Sequence, residues 1–276
     1  MKPPVPTTHS NTEVSVSVAS GEKLGHNRIM DRRDFSHANN PVFPCAEAVL
    51  LLPFGRRSFL PAIVERYRGA AVTLDETTDR EVFQLAATLS EITLVYPGMG
   101  SPAAANALEM VAAAGAKRVV VFGACGGVAA EIGVGELVVA TGAVRGEGTS
   151  AYYAPAGFPA AFDPLVTARL WEAASKSEVQ VHRGVVFTTD AGYRQGPEIY
   201  EECRGLVIGV ESECAAVAVV SAALGLQAGA LLFCTDNVSL PREEDHAYRG
   251  LKDQRVKLGF ETGLEEAIAV LSAPVE

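Results

Sequence analysis

Two carboxylates, Glu213 and Asp236, are the residues of this chain whose positions best suit chemistry. Glu213 lies where an apolar strand runs into an apolar helix, and Asp236 lies at the end of the next strand. Open α/β sheets bind their ligands at the carboxyl ends of strands. A buried charged carboxylate needs a partner, and a ligand with hydroxyl or ring-nitrogen donors supplies one. In the alternative interpretation both residues only cap local structure, with Glu213 opening a helix and Asp236 starting a turn.

Two glycine-rich segments follow other predicted strands. Residues 98–102 join a strand to a helix N-terminus, where backbone N–H groups and the positive end of the helix dipole suit an anion. Ser101 is expected to cap this helix, and Pro102 suits its first turn. The glycines within residues 123–127 let another group approach the backbone closely. Each segment is equally compatible with an ordinary tight turn.

A third segment, residues 188–194, places Tyr193 and Arg194 just past a buried strand. An aromatic ring and a guanidinium there suit a pocket for a planar ring, although a surface loop with a solvated Arg has the same pattern. No metal spacing is evident: His9, His26, His182 and His246 pair with no Cys or Asp. The five cysteines form no C-x-x-C motif and indicate free thiols in a reducing compartment.

Composition limits the remaining possibilities. The chain has 276 residues, of which 48% are hydrophobic and 20% charged, as is usual for a soluble globular protein. A net charge of −10 argues against nucleic acid as a partner. No apolar run is long enough to span a membrane, and residues 1–25 lack the apolar segment of a signal peptide. We therefore expect a cytoplasmic protein with a flexible extension over residues 1–30 and a single domain over residues 31–276.

The hydrophobic pattern predicts an α/β fold. Continuously apolar strand runs alternate with helical segments, including an Ala-rich helix after residue 101, one over 163–175 and an amphipathic one over 256–272. Such strands are typical of a mostly parallel sheet that is covered by helices on both faces. Residues 80–83 and the alternation after them predict edge strands.

Taken together, the motifs resemble those of the nucleoside phosphorylase family, which includes uridine phosphorylase, hexameric purine nucleoside phosphorylase and the adenosylhomocysteine-type nucleosidases. The resemblance runs from about His37 to the C-terminus. It rests on the order and spacing of residues 98–100, 123–127, 147–153, 188–194, 210–213 and 235–237. It implies a three-layer α/β/α sandwich around a twisted, mostly parallel, partly barrel-like sheet. It also implies a homodimer, or a hexamer of dimers, with shared active sites.

The resemblance also implies roles for individual residues, with Asp236 and Glu213 as the catalytic pair. It assigns the ribose to Glu213, Glu211, Ser212 (where the family usually has Met) and His37, which would reach a neighbouring subunit's ribose. It assigns the base to Asp236, Tyr193, Arg194, Gln195, Cys125 and Gly126. A carboxylate on the sugar hydroxyls favours the cationic sugar that forms when an N-glycosidic bond breaks. A proton donor at the base, which for Asp requires a pKa raised by burial, improves the leaving group.

The phosphate site departs from the family pattern. The family's Arg at the end of the central strand is replaced by Val121 or Phe122, and its Thr is replaced by Ala124. The residues left to hold phosphate are Arg56, Arg57, Arg80, Gly98, Gly100 and the position of Ala124. Arg80 would be donated by a neighbouring subunit.

Three functions are compatible with this pattern. The first is a nucleoside phosphorylase that favours purine nucleosides, with inorganic phosphate as co-substrate and no cofactor or metal. The second is a nucleosidase that uses water in place of phosphate, suggested by the missing Arg and Thr. The third is a nucleoside-binding protein without activity, since a fold does not fix a function.

Overall fold

The computed structural model describes residues 45–54, 59, 62, 71–75, 80–85, 92–194, 203, 205–240 and 248–273. These residues all belong to one compact unit, Pro41–Glu276. The predicted domain boundary at residue 30 lies outside the described residues and stays a prediction. None of the helices in the described part of the chain is both long and apolar enough to cross a membrane.

Strands and helices alternate over most of the described chain. The strands are β1 (Ala48–Leu51), β2 (Ala71–Asp75), β3 (Arg80–Leu85), β4 (Ile92–Tyr96), β5 (Arg118–Gly127), β6 (Leu137–Gly146), β7 (Ala160–Ala161), β8 (Val181–Thr189), β9 (Gly209–Glu211) and β10 (Gln227–Asn237). The helices are α1 (Ser101–Ala113), α2 (Pro164–Ala174), α3 (Cys214–Leu224) and α4 (Gln254–Ser272), with 3₁₀ turns at Thr149–Tyr152 and Gly192–Arg194. The predicted helices are therefore confirmed to within two residues at each end.

The strands form one sheet that curls on itself. Its order is β10-β6-β8-β9-β5-β1-β4-β3-β2, and β10 also pairs with β5, so that five strands close a small barrel. Strands β1, β4, β3 and β2 continue from the barrel as an open arm. The predicted edge strand at residues 80–83 is β3, which is one strand in from the edge, and the edge strand itself is β2, which the sequence analysis did not predict. The α/β class and the partly barrel-like sheet are thus confirmed.

Strand direction is more mixed than the hydrophobic runs suggest. Strands β4, β1, β5 and β10 are mutually parallel, and so are β6, β8 and β9. The two groups meet through antiparallel pairs, β10 with β6 and β5 with β9. A strand that is buried on both faces is apolar in either direction, so hydrophobicity alone does not reveal this reversal.

Helices cover both faces of the sheet, which gives the three predicted layers. Buried residues of α1 and α3 pack with one side of the strands, and those of α2 and α4 pack with the other. The second layer contains a cluster of five phenylalanines whose ring centroids lie 4.9–6.0 Å apart: Phe54, Phe59, Phe122, Phe233 and Phe260. Between the two carboxylates in the chain, the first eight residues of α3 and nearly all of β10 are buried.

Candidate functional site

Glu211 ends β9, and its carboxylate is held by three donors. The backbone N–H groups of Glu213 and Cys214 each donate to Oε2 over 2.6 Å. The Thr188 hydroxyl, from the end of β8, donates to Oε1. Glu211 is 7% exposed, so these contacts replace water around a buried carboxylate.

Thr188 also accepts a hydrogen bond, from the backbone N–H of Ala215 over 2.8 Å. Ala215 is the second residue of α3, and the first residue, Cys214, already donates to Glu211. The first N–H groups of a helix have no partner within it and need one from outside. Here Glu211 and Thr188 supply those partners, although neither occupies the N-cap position.

Glu213 occupies the N-cap position of α3, yet its side chain makes no capping hydrogen bond to that helix. Its Oε1 instead accepts the backbone N–H of Gly100, at the start of α1, over 2.5 Å. The interpretation of Glu213 as a side-chain cap of its own helix is therefore wrong. One physical reason is that the N–H of Ala215, which a cap at Glu213 would reach, already has Thr188 as its partner.

The start of α1 also differs from the prediction. Gly100 is the N-cap, with a φ of 93° that favours glycine, and Ser101 is the first helical residue. The Ser101 hydroxyl does not cap α1 but donates to the carbonyl oxygen of Ser212 over 2.7 Å. Together the two contacts from α1 fix both the backbone of Ser212 and the carboxylate of Glu213.

The two acids in this corner influence each other's ionisation. Burial, followed by the negative charge of Glu211, raises the pKa of Glu213 to about 8, against a smaller lowering by the Gly100 N–H group. Burial also raises the pKa of Glu211, while its bonds from Thr188, Cys214 and Glu213 oppose that shift. Glu211 has more donors, so we assign the negative charge of the pair to Glu211 and the proton to Glu213.

Asp236 lies near the end of β10, where the pairing with β5 shifts register between Cys234 and Asp236. The residue is half-buried, and its Oδ1 accepts the Thr235 hydroxyl over 2.7 Å. Its Oδ2 faces Gly126, because a Cβ built at Gly126 would lie 3.4 Å from it, in ordinary van der Waals contact. The carboxylate therefore borders β5 at Gly126.

Three buried thiols lie close to the carboxylates, Cys125 and Cys234 near Asp236 and Cys214 near Glu211 and Glu213. Cys125 hydrogen-bonds to Cys234, its register partner on β10, and lies within electrostatic range of both Asp236 and Cys214. The bond to Cys234 and burial raise the pKa of Cys125 well above its usual value, and burial with the charge of Glu211 does the same for Cys214. Both therefore stay protonated, which argues against thiolate chemistry. The thiols bring the Glu213 and Asp236 corners into one neighbourhood.

Asn237, the next residue after Asp236, is fully buried and anchors the end of β10. Its amide nitrogen donates to the carbonyl oxygens of Ala129 and Ile132 over 2.8 and 2.7 Å. Its amide oxygen accepts the N–H and hydroxyl of Ser239. Gly127 must be glycine here, because a Cβ would come within 2.7 Å of the Asn237 side chain.

The predicted base-reading loop is only partly described. Tyr193 and Arg194 lie in the 3₁₀ turn after β8, and the Arg194 side chain is exposed. Asp190 ties this loop to a second one by accepting the Gly148 N–H over 2.9 Å. Gln195, the third predicted base contact of this loop, lies outside the described residues. The roles of Tyr193, Arg194 and Gln195 in binding the base therefore stay predictions.

The anion side of the site is also described in part. Gly98 and Gly100 form the turn before α1, both with positive φ, and the Gly100 N–H is engaged by Glu213. Ala124 is half-buried in β5. Val121 and Phe122, at the position where the resemblance implies an Arg, are both buried, in opposite layers of the core. Arg80 starts β3, whereas His37, Arg56 and Arg57 lie outside the described residues.

Sequence reasoning missed the contacts of three residues that organise these corners. Ser101 was interpreted as a helix cap and Thr188 as part of the segment that follows a strand, and their partners lie far away in sequence. Arg145, near the end of β6, donates to the Ser150 hydroxyl and to the carbonyls of Ala154, Pro155, Ala156 and Phe158, which shapes the loop after it. The sequence signal that could have identified Thr188 and Arg145 is a hydroxyl or guanidinium side chain near the end of a largely apolar strand. No cluster able to hold a metal occurs within the described ranges.

Comparison with known proteins places this site in a family. The sequence profile described as "Phosphorylase superfamily" matches residues 62–273, which include both carboxylate corners. The chain belongs to the phosphorylase superfamily. Nucleoside phosphorylases of this superfamily take phosphate as co-substrate and need no cofactor, as the resemblance implies.

Individual relatives are similar over part of their length. A guanosine phosphorylase from Halorubrum lacusprofundi is 33% identical over 147 residues, covering 53% of this chain and 60% of the relative. A uridine phosphorylase from Treponema pallidum is 40% identical, covering 42% of this chain and 46% of the relative. The chain therefore spans about half the length of these relatives. A uridine phosphorylase from Klebsiella aerogenes is 30% identical over 62% of this chain and 76% of its own length.

Solved structures share the fold. Uridine phosphorylase from Vibrio fischeri superposes with a TM-score of 0.70 at 24% identity, over 82% of this chain and 92% of that one. Purine nucleoside phosphorylase from Toxoplasma gondii superposes with a TM-score of 0.71 at 20% identity, over 83% and 91%. At this level of identity the similarity confirms the predicted architecture and leaves the substrate to other arguments.

Proposed function

We propose that this protein is a nucleoside phosphorylase that favours purine nucleosides. It cleaves the N-glycosidic bond of a ribonucleoside with inorganic phosphate, releasing the free base and ribose 1-phosphate. The observation that carries this proposal is the Glu213 corner, where a buried carboxylate is kept off its own helix and turned toward the loop before α1. Membership of the phosphorylase superfamily supplies the reaction class.

The Glu213 corner suits the sugar. Ribose offers two neighbouring hydroxyl donors, and a carboxylate accepts both while favouring the positive charge that develops on the sugar. Hydroxyl donors also favour the ionised form of a carboxyl. A bound ribose would therefore lower the pKa of Glu213, and Glu213 would release its proton to solvent. The relatives named guanosine phosphorylase and uridine phosphorylase act on nucleosides with the same sugar and different bases. Their shared sugar supports a ribose role for Glu213, with Glu211 and Ser212 beside it.

The Asp236 corner supports a purine. When the bond between C1′ and the base nitrogen breaks, the electron pair leaves with the base, and a carboxyl near a purine ring nitrogen can donate a proton to it. Asp236 is half-buried beside Gly126 and close to Cys125, a position that suits contact with a flat ring. His37 would complete the ribose subsite from a neighbouring subunit, which is why we also propose a homodimer or hexamer. Residence in the cytoplasm remains part of the proposal.

The phosphate subsite has to be built without the Arg that the family carries. Phosphate attacks C1′ as the base leaves, so a C–O bond replaces the C–N bond and no redox partner is needed. We assign phosphate to Arg56, Arg57 and Arg80 with the Gly98–Gly100 turn and the position of Ala124, on the sequence pattern alone. The relatives reported above are named phosphorylases, which gives the nucleosidase alternative no support.

The test is a panel of purine and pyrimidine nucleosides incubated with and without phosphate, with the free base and the sugar product followed by chromatography. We expect cleavage only with phosphate, a preference for purine nucleosides and ribose 1-phosphate as the product. Equal cleavage in phosphate-free buffer, with free ribose, would replace this proposal by a nucleosidase. Thermal stabilisation by nucleosides without base release would indicate the inactive binding protein. Glu172→Gln, at an exposed ion pair on α2, is a suitable control variant.

A further inference from the structure

Glu213 stands at the N-cap of α3, the position from which a side chain normally bonds to the N–H two or three residues on. For Glu213 the nearest such group is the N–H of Ala215. A Glu213 carboxylate that accepted the Ala215 N–H would face its own helix and could not bind a ligand. The observed carboxylate is 113 residues away in sequence from its partner, Gly100.

We infer that Thr188 and Glu211 are positioning residues, which cap α3 in place of Glu213 and so hold the Glu213 carboxylate toward the ligand. The Thr188 hydroxyl occupies the Ala215 N–H, and the Glu211 carboxylate occupies the N–H groups of Glu213 and Cys214. Thr188 also donates to Glu211, so one hydroxyl links both caps. This inference rests on the proposed ribose role of Glu213.

The arrangement assigns Glu211 a different task from the one implied by resemblance. Three donors from the protein already surround its two oxygens, and it is 7% exposed. A carboxylate so engaged has no direct contact to offer the sugar, and it acts instead by fixing the backbone of Glu213 and by its charge beside that residue. Its negative charge also disfavours ionisation of Glu213 until donors from a ligand arrive.

Loss of the Thr188 hydroxyl should therefore change where Glu213 points. In Thr188→Val the Ala215 N–H loses its Thr188 partner in a buried site, and Glu213, at the N-cap position of α3, is placed to accept it. We expect the Glu213 carboxylate to leave the Gly100 N–H and to cap α3. Thr188→Ser keeps a hydroxyl and should keep the wild-type arrangement.

The kinetic readout is discrimination between a ribonucleoside and its 2′-deoxy counterpart, expressed as the ratio of their kcat/KM values. A carboxylate that grips the 2′-hydroxyl sets this ratio, and hydrogen bonds to charged groups correspond to roughly tenfold or more. We expect Thr188→Val to lower the ratio about tenfold and Thr188→Ser to restore it. Thr93→Val is the matched control. Thr93 is equally buried and accepts the backbone N–H of Ala46, but it lies near the start of β4, whereas Thr188 lies near the end of β8.

The outcomes are separable. The positioning role is refuted if Thr188→Val lowers kcat/KM equally for the ribonucleoside and its 2′-deoxy counterpart. It is also refuted if Thr188→Ser fails to restore the ratio of the two kcat/KM values. A crystal structure of Thr188→Val decides the matter without activity: Glu213 on Ala215 supports the inference, and Glu213 still on Gly100 overturns it. If wild-type protein cleaves no nucleoside, the proposed function fails while this structural test still stands. Should Thr188→Val not fold, the same kinetic and structural measurements are made on Glu211→Gln. The Gln amide has one acceptor oxygen, so it cannot accept both the Thr188 hydroxyl and the N–H groups of Glu213 and Cys214 as the two oxygens of Glu211 do.

Discussion

The corners around Glu213 and Asp236 are built in different ways. The Glu213 carboxylate is 6% exposed, and its surroundings are fixed by β8, β9 and α1 through hydrogen bonds from distant parts of the chain. Asp236 is half-buried, and its Oδ1 accepts the hydroxyl of its own neighbour, Thr235. Hydrogen bonds to other strands and helices surround a buried carboxylate in the Glu213 corner, whereas the Asp236 carboxylate is more exposed and lies at a strand end beside Gly126.

This difference matches the chemistry that each corner would perform. A preorganised carboxylate stabilises charge without rearranging during the reaction, which suits the sugar that all substrates share. A half-open carboxyl beside a glycine tolerates rings of different shape, which suits the base that distinguishes guanosine from uridine. We therefore expect substitutions in the Glu213 corner to affect all substrates, and substitutions in the Asp236 corner to affect some of them.

The largest effect should come from Glu213→Gln. The amide keeps the shape but cannot carry the negative charge that favours the cationic sugar, so kcat/KM should fall by about 10³-fold for every nucleoside tested. Steady-state kinetics with one purine and one pyrimidine nucleoside measure this. A loss confined to one base would contradict the comparison, since it would move Glu213 from the sugar to the base.

A smaller and selective effect is expected from Asp236→Asn. Removing a proton donor costs about 10²-fold where the donor matters, so purine nucleosides should lose about that factor. Pyrimidine nucleosides should change little. Equal losses for both classes would show that Asp236 has no role specific to the base, and the purine preference would then need another cause.

Stability against pH distinguishes the corners without a substrate. Burial raises the pKa of Glu213 to about 8 in the folded state, so the folded protein holds a proton that the unfolded chain releases near the ordinary Glu value. The contribution is fully present at low pH and is lost as pH rises toward about 8, since the unfolded state then gains from ionisation. Between about pH 6 and pH 9 we expect a loss of roughly 2 kcal/mol of unfolding free energy.

Urea unfolding at several pH values measures this loss, and Glu213→Gln should flatten the curve. Glu211 shifts in the same direction, so some dependence should remain in the variant. A curve for Glu213→Gln as steep as that of wild type would mean that Glu213 is ionised in the folded protein. The preorganised corner would then hold two charges rather than one.

The two corners also differ in how far the sequence could predict them. Apolar runs predicted most of the strands, the helices and the positions of Glu213 and Asp236 on either side of α3 and β10, because these depend on local patterns. The bonds from Gly100 to Glu213 and from Ser101 to Ser212 join residues 113 and 111 positions apart. No local pattern encodes such contacts, which is why Ser101 was mistaken for a cap and Thr188 was overlooked. The reversal between β5 and β9 was missed for the same reason.

The smallest predicted effect tests the space beside Asp236. In Gly126→Ala the new Cβ would lie 3.4 Å from Asp236 Oδ2 and 3.3 Å from Val210, so small shifts accommodate it. We expect a change of a few fold in purine turnover and a stability change below about 1 kcal/mol. Gly127→Ala is the contrasting variant, because its Cβ would come within 2.7 Å of the buried Asn237 amide and should cost about 1–3 kcal/mol. Thermal unfolding with purine kinetics separates the two. If Gly126→Ala destabilised the protein as much as Gly127→Ala, the Asp236 corner would be as rigidly packed as that of Glu213.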